Sequence, residues 1–264
     1  MLGSAVEGIR KGKVMVLDLQ FFLFAVPAVL FAGLSKGGFG SGAAFAASPF
    51  LALAIDPKLA VGLMLPLLML MDVAGLRAFW RGWNWPVARA LMVGMVPGVA
   101  IGALVFRQTN PDVLRVLIGA IAIGFVAFQM ARGRGWLRIA AARESPRRGM
   151  FWGLVAGFTS FVSHAGGPPA MVYLLSQNLS KRTFQSTTLL AFWWVNLIKV
   201  PPYIAIGLFT PQTLLANLFL APVALMGVAC GVWLHHRTSD KVFFGLAYVF
   251  LVLTGLKLFY DGLT

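Results

Sequence analysis

Apolar residues along the chain fall into ten runs, at 14–35, 43–55, 59–76, 87–106, 112–131, 149–164, 167–179, 183–206, 212–234 and 241–260. Several approach or exceed about 20 residues, the length a helix needs to cross a hydrocarbon core of about 30 Å. Two runs are short. Residues 43–55 and 167–179 would extend only about 20 Å as helices at 1.5 Å per residue. Each follows a glycine-containing break: "GGFGSG" at 37–42 before the first, "SHAGG" at 163–167 before the second.

That parallel points to a duplication. At an offset of 124, Gly33 pairs with Gly157, Gly42 with Gly166, Lys58 with Arg182 and Asp72 with Asn196. After a one-residue slip, Gly82 pairs with Gly207, Pro86 with Pro211, Pro97 with Pro222 and Gly102 with Gly227. The expected fold is an all-α polytopic transmembrane helical bundle of two repeats, with helices broken at the glycine motifs. Residues 1–131 form the first repeat, 132–148 a basic cytoplasmic linker and 149–264 the second repeat.

Five crossings per half would make the repeats inverted. Re-entrant short segments would leave four crossings per half and parallel repeats. Cytoplasmic loops carry an excess of Lys and Arg. With Lys36 and Lys199 set aside as intramembrane, either arrangement places 13 basic residues inside and 7 outside. Charge alone does not choose between them. A start at Met15 would remove three internal charges from the four-crossing arrangement and favour the other. The expectation is therefore inverted repeats of about five segments each.

Composition agrees with an embedded chain. It is 59% hydrophobic and only 11% charged, where soluble domains run near a quarter charged. The net charge of +14 sits largely in connections such as "ARGRGWLRIAAARESPRR". Membrane orientation accounts for this charge, and no nucleic acid partner is expected. The single cysteine, Cys230, excludes an intramolecular disulfide.

Non-helical backbone at membrane depth is tolerated where it is buried in protein or lines a cavity. Paired broken segments at matching positions of two halves mark a transporter's binding site. Glycine-rich turns and helix N-termini direct N–H groups at one spot, which suits an anion. The candidates are Gly37, Gly38, Gly40, Ser41 and Gly42 in the first break, with His164, Gly166 and Gly167 in the second. The bland alternative for each is an interhelical turn or a close helix contact.

Four further polar groups stand out. Lys36 lies either at a far interface, where lysines snorkel, or beside a bound anion. Lys199 sits well inside a span, in "WWVNLIKVPPYI", and needs a partner, a wet cavity or an anion. Asp72 is the acid inside a span, either a proton relay or a structural partner of Lys199 or Arg77. Ser186, Thr187 and Asn196 share a segment with Lys199 and add hydroxyl and amide groups.

Catalysis has thin support. Seven of the eight acids lie in tails, loops or near segment ends. HExxH and Cys/His metal clusters are missing, and "GGFGSG" lacks the Lys-Ser/Thr ending of a P-loop. Neither metal nor cofactor is expected. The rival readings are an intramembrane enzyme acting on lipid or peptide, and an anion channel.

"AGLSKGGFGSGAAFAASPFLALAIDPKLAVG" and "AGFTSFVSHAGGPPAMVYLL" resemble the two repeat signatures of the sulfite exporter TauE/SafE family, over roughly residues 20–260. The resemblance implies a secondary transporter, not an enzyme. It would move small sulfur-containing or organic anions, such as sulfite, sulfoacetate or other sulfonates, across a bacterial inner membrane. It further implies alternating access, export and proton coupling. One departure is Leu63-Met64 after "AVG", where many relatives carry Thr-Ser.

Overall fold

The computed structural model describes residues 17–38, 44–137, 145–235 and 240–264. Among them are ten α-helices and no strand. The first half holds α1 (Leu19–Gly38), a 3-10 turn (Ala44–Ala46) leading into α2 (Ala47–Leu51), α3 (Pro57–Ala78), α4 (Trp85–Gln108) and α5 (Pro111–Gly133). The second holds α6 (Pro146–Ser163), α7 (Gly167–Ser176), α8 (Lys181–Ile206), α9 (Pro211–His235) and α10 (Asp240–Leu263).

Seven of these are long and apolar enough to cross a membrane: α1, α3, α4, α5, α8, α9 and α10. The short runs contract further than expected, to a five-residue α2 and a ten-residue α7. The first break also begins later than expected, since α1 continues through Lys36, Gly37 and Gly38. Helix starts follow local rules. Asp56, Asn84, Asn110 and Ser145 each accept a hydrogen bond from a backbone N–H of the first turn, and proline follows within two residues. Proline there loses nothing, because that N–H has no helical partner.

Glycines set the packing. Gly33 lies against Ala224 and Gly227, and Gly38 against Gly231, so α1 and α9 run parallel at backbone contact. α4 and α6 do the same, with Gly94 on Met150, Gly98 on Leu154 and Gly102 on Phe161. Lipid chains are as apolar as leucine, so close backbone approach supplies much of the attraction between such helices. α3 and α8 instead run antiparallel, since Gly62 meets Leu208 and Gly75 meets Leu189. So do α5 and α10, where Gly119 meets Gly255 and Gly262 meets Asp112. α3 also packs on α9, and α4 on α8. Exchanging the halves, α1 for α6, α3 for α8, α4 for α9 and α5 for α10, maps this set of contacts onto itself. α3 is the most interior of the seven, with 61% of its apolar window buried against 28% for α10.

A methyl group on Gly33 would stand 2.7 Å from the Ala224 carbonyl oxygen and 2.8 Å from the Gly227 Cα, whereas Gly124 has nothing within 4 Å. Overpacking of a tight contact costs about 1–3 kcal/mol. Gly33→Ala is expected to destabilise the protein by at least about 1 kcal/mol on that scale. Gly124→Ala should be neutral or slightly stabilising, as alanine is the better helix former. Thermal unfolding of the two variants in detergent checks this.

Candidate functional site

The centre of the bundle holds a chain of buried polar side chains where α3 and α8 cross. Asp72 of α3 and Lys199 of α8 are both 0% exposed. From the last turn of α1, the Lys36 ammonium donates to the Asp72 carboxylate, and also to the Leu68 carbonyl at 3.4 Å. The other carboxylate oxygen accepts from Asn196 Nδ2 at 2.7 Å. Asp72 is thus held by two helices, one offering a charge and the other an amide.

Three residues along α8 from Asn196, on the same face, Lys199 makes a second set of contacts. Its Nζ lies 3.2 Å from the Ser160 carbonyl oxygen, 3.1 Å from Ser160 Oγ and 2.8 Å from His164 Nδ1. Three acceptors match the three N–H groups of an ammonium. His164 Nε2 lies 2.9 Å from the Val61 carbonyl oxygen, which can only accept. Nε2 therefore carries the hydrogen, and Nδ1 is left to accept from Lys199. One turn beyond, the Tyr203 hydroxyl donates to the Phe161 carbonyl at 2.9 Å. The Tyr203 ring centre lies 5.9 Å from Lys199 Nζ.

The second break places His164. α6 ends there in the left-handed region, at φ 58°, with the His164 N–H bonded to the Ser160 carbonyl. A non-glycine residue seldom adopts this conformation, and histidine is among those that do. The turn carries the ring across to α3. Glycine is required at 166, where a methyl group would stand 2.9 Å from the Ala156 carbonyl oxygen and from Ser160 Cβ. α7 restarts at Gly167, with Pro168 and Pro169 in its first turn.

With both amines protonated, the cluster holds one more positive than negative charge in apolar surroundings. Lys36 is answered by Asp72, while Lys199 contacts neutral acceptors. Such a site complements a small anion, because a buried charge needs a counter-charge and hydrogen bonds.

Two expectations change, and two candidate hydroxyls lie away from the centre. Lys36 is not an interfacial snorkelling residue, being buried at 8% exposure with its charge directed inward. The partners of Asp72 are Lys36 and Asn196 rather than Lys199 or Arg77. Ser186 and Thr187 lie about 20 Å before Lys199 along α8, at 1.5 Å per residue. There Ser186 Oγ donates to the Phe79 carbonyl, and Thr187 Oγ1 accepts from the Asn84 N–H, so both tie down the α3–α4 turn.

Gly37 and Gly38 pack against the backbone of α9. Gly40, Ser41 and Gly42 lie outside the described residues. The structure thus gathers Lys36, Asp72, His164, Asn196 and Lys199, and adds Ser160, which the sequence reading missed. A signal was present: the offset of 124 that pairs Asp72 with Asn196 also pairs Lys36 with Ser160.

Seven apolar helices around a buried ionic centre define a multi-pass membrane protein. The family model of the sulfite exporter TauE/SafE matches residues 25–258, and the chain belongs to that family of membrane transporters. No curated protein and no solved structure matches it.

Removing one partner of a buried ion pair costs about 3–5 kcal/mol, since the other charge is left unanswered. Asp72→Asn is therefore expected to destabilise the protein strongly. Adding Lys36→Met should recover most of the loss, whereas adding Lys199→Met should not. Unfolding of the single and double variants in detergent separates the two assignments.

Proposed function

We propose that the protein exports small oxyanions, sulfite or sulfonates first among them, across a bacterial inner membrane by alternating access. The observation that carries this reading is Lys199, buried at the crossing of two corresponding helices and bonded to neutral groups alone. Lys199, Asn196, His164 and the N–H groups at Gly166 and Gly167 form the substrate-facing set. Lys36 supplies the approach from α1, and Gly40, Ser41 and Gly42, outside the described residues, stay candidates from the sequence. Membership of a transporter family favours transport over an enzyme acting on lipid or peptide.

The reading takes the two halves as inverted repeats of five segments, and helix directions support it. The corresponding helices α3 and α8 run antiparallel, as do α5 and α10. α1 runs with α9, α8 and α9 are joined by the short turn at 207–210 and so run opposite ways, and α8 runs against α3. α1 and α3 therefore point the same way. Halves related in this way can exchange conformations, which is the basis of alternating access.

The two lysines act as ties in this scheme. Lys36 and Ser160 occupy corresponding positions in the last turn before each break. Each is joined by a lysine to the crossing helix, Lys36 to α3 and Ser160 to α8. An incoming anion competes with Asp72 for Lys36, and with Ser160 and His164 for Lys199. Exchange of these contacts frees one break at a time. Protonation of Asp72 would release Lys36 and couple proton movement to anion movement.

Proteoliposomes loaded with sulfite, sulfonates, carboxylates or sulfate test the reading. Accumulation or exchange of sulfite or a sulfonate is expected. No exchange and no thermal shift with any anion would refute it. A lysine at a span centre costs about 2.5–3.5 kcal/mol on insertion scales, so Lys199→Met should insert normally and lose transport. Lys199→Arg restores a charge with different geometry and should recover part of the activity at most.

A further inference from the structure

We infer that a groove between α1, the 44–51 segment and α10 is a binding site for one acyl chain of a bilayer lipid. The inference is independent of the transported substrate. The groove encloses about 230 Å³ and is lined by Ala28 and Phe31 of α1, Ala47 and Phe50 of α2, and Phe250 and Thr254 of α10.

Its chemistry selects the occupant. Among the lining residues only Thr254 carries a polar side chain, and water in such a space needs two to four polar partners. An apolar cavity of roughly 150 Å³ already accepts a benzene ring, so this one has room for several methylenes. The lining residues fall near the middle of α1 and α10. A chain at that depth is the tail of a lipid rather than its headgroup.

The mouth opens on hydrocarbon. Phe250 is 54% exposed, beside Leu246, Val249 and Leu253, each more than half exposed on one stripe of α10. In a multi-pass membrane protein, such a stripe faces lipid. At the offset of 124, Ala28 and Ala47 correspond to Trp152 and Met171.

The floor of the groove gives it consequence. Phe50 sits 5.6 Å from the Phe24 ring on one side and 6.2 Å from Phe250 on the other, both measured between ring centres. A chain lying there contacts the short helix that follows the first break and braces it against α1 and α10.

Photolabelling tests the site. The protein is reconstituted in palmitoyl-oleoyl-phosphatidylcholine vesicles doped with phosphatidylcholine carrying a mid-chain diazirine, and labelled residues are mapped by mass spectrometry. Labelling of Phe31, Phe50 and Phe250 is expected to exceed that of the exposed faces of α4 and α9 several-fold. Ala47→Met and, separately, Ala28→Trp should bring it down to the level of those faces. Even labelling of all exposed faces in the unaltered protein means ordinary surrounding lipid and overturns the inference. So does enrichment that survives both substitutions in folded protein.

Discussion

A carboxylate without water must have its charge answered from within the protein, and Asp72 is the point where this chain meets that demand. Three elements converge to satisfy it: α3 carries the acid, α1 delivers an ammonium and α8 an amide. The cost of leaving any of these groups unpaired at membrane depth fixes how the three helices approach one another. The remaining basic group, Lys199, is then positioned by its place on α8 and by neutral acceptors rather than by a counter-charge.

Bringing such short side chains together requires helices closer than leucine-rich surfaces permit. The glycine contacts of α1 with α9 and of α4 with α6 provide that closeness. They bring the last turns of α1 and α6 alongside the crossing pair, within reach of Asp72 and Lys199. Thus the glycines govern the ionic centre from a distance, although none of those in α4 or α9 touches it. Close packing in lipid and polar pairing in the core are parts of one arrangement.

Much of the fold was legible because hydropathy reports burial in lipid directly. The ten apolar runs became ten helices, and the two short runs became the two short ones. Buried lysines and an acid in apolar runs announced an ionic centre. The partners were harder to read. Lys36 belonged to a helix whose end the glycines obscured, because glycine serves both to break a helix and to pack one. Gly37 and Gly38 did the second while looking like the first. The contacts of the Ser186 and Thr187 hydroxyls were hidden for a similar reason, since a turn needing donors and acceptors lay beside them. Ser160 was hidden among ordinary helical serines, and only its correspondence with Lys36 set it apart.

At the sequence offset of 124, Asp72 is matched with Asn196, and the two side chains touch. Two residues in such contact cannot both carry the same charge without conflict. Two aspartates there would be like charges sharing one site, and one of them would have to remain protonated. Asparagine keeps nearly the shape of aspartate and supplies hydrogens where the acid supplies lone pairs. A self-repelling contact thereby becomes a complementary one. Two acids at this contact would repel, and the exchange of one carboxylate oxygen for an amide nitrogen turns that repulsion into a hydrogen bond.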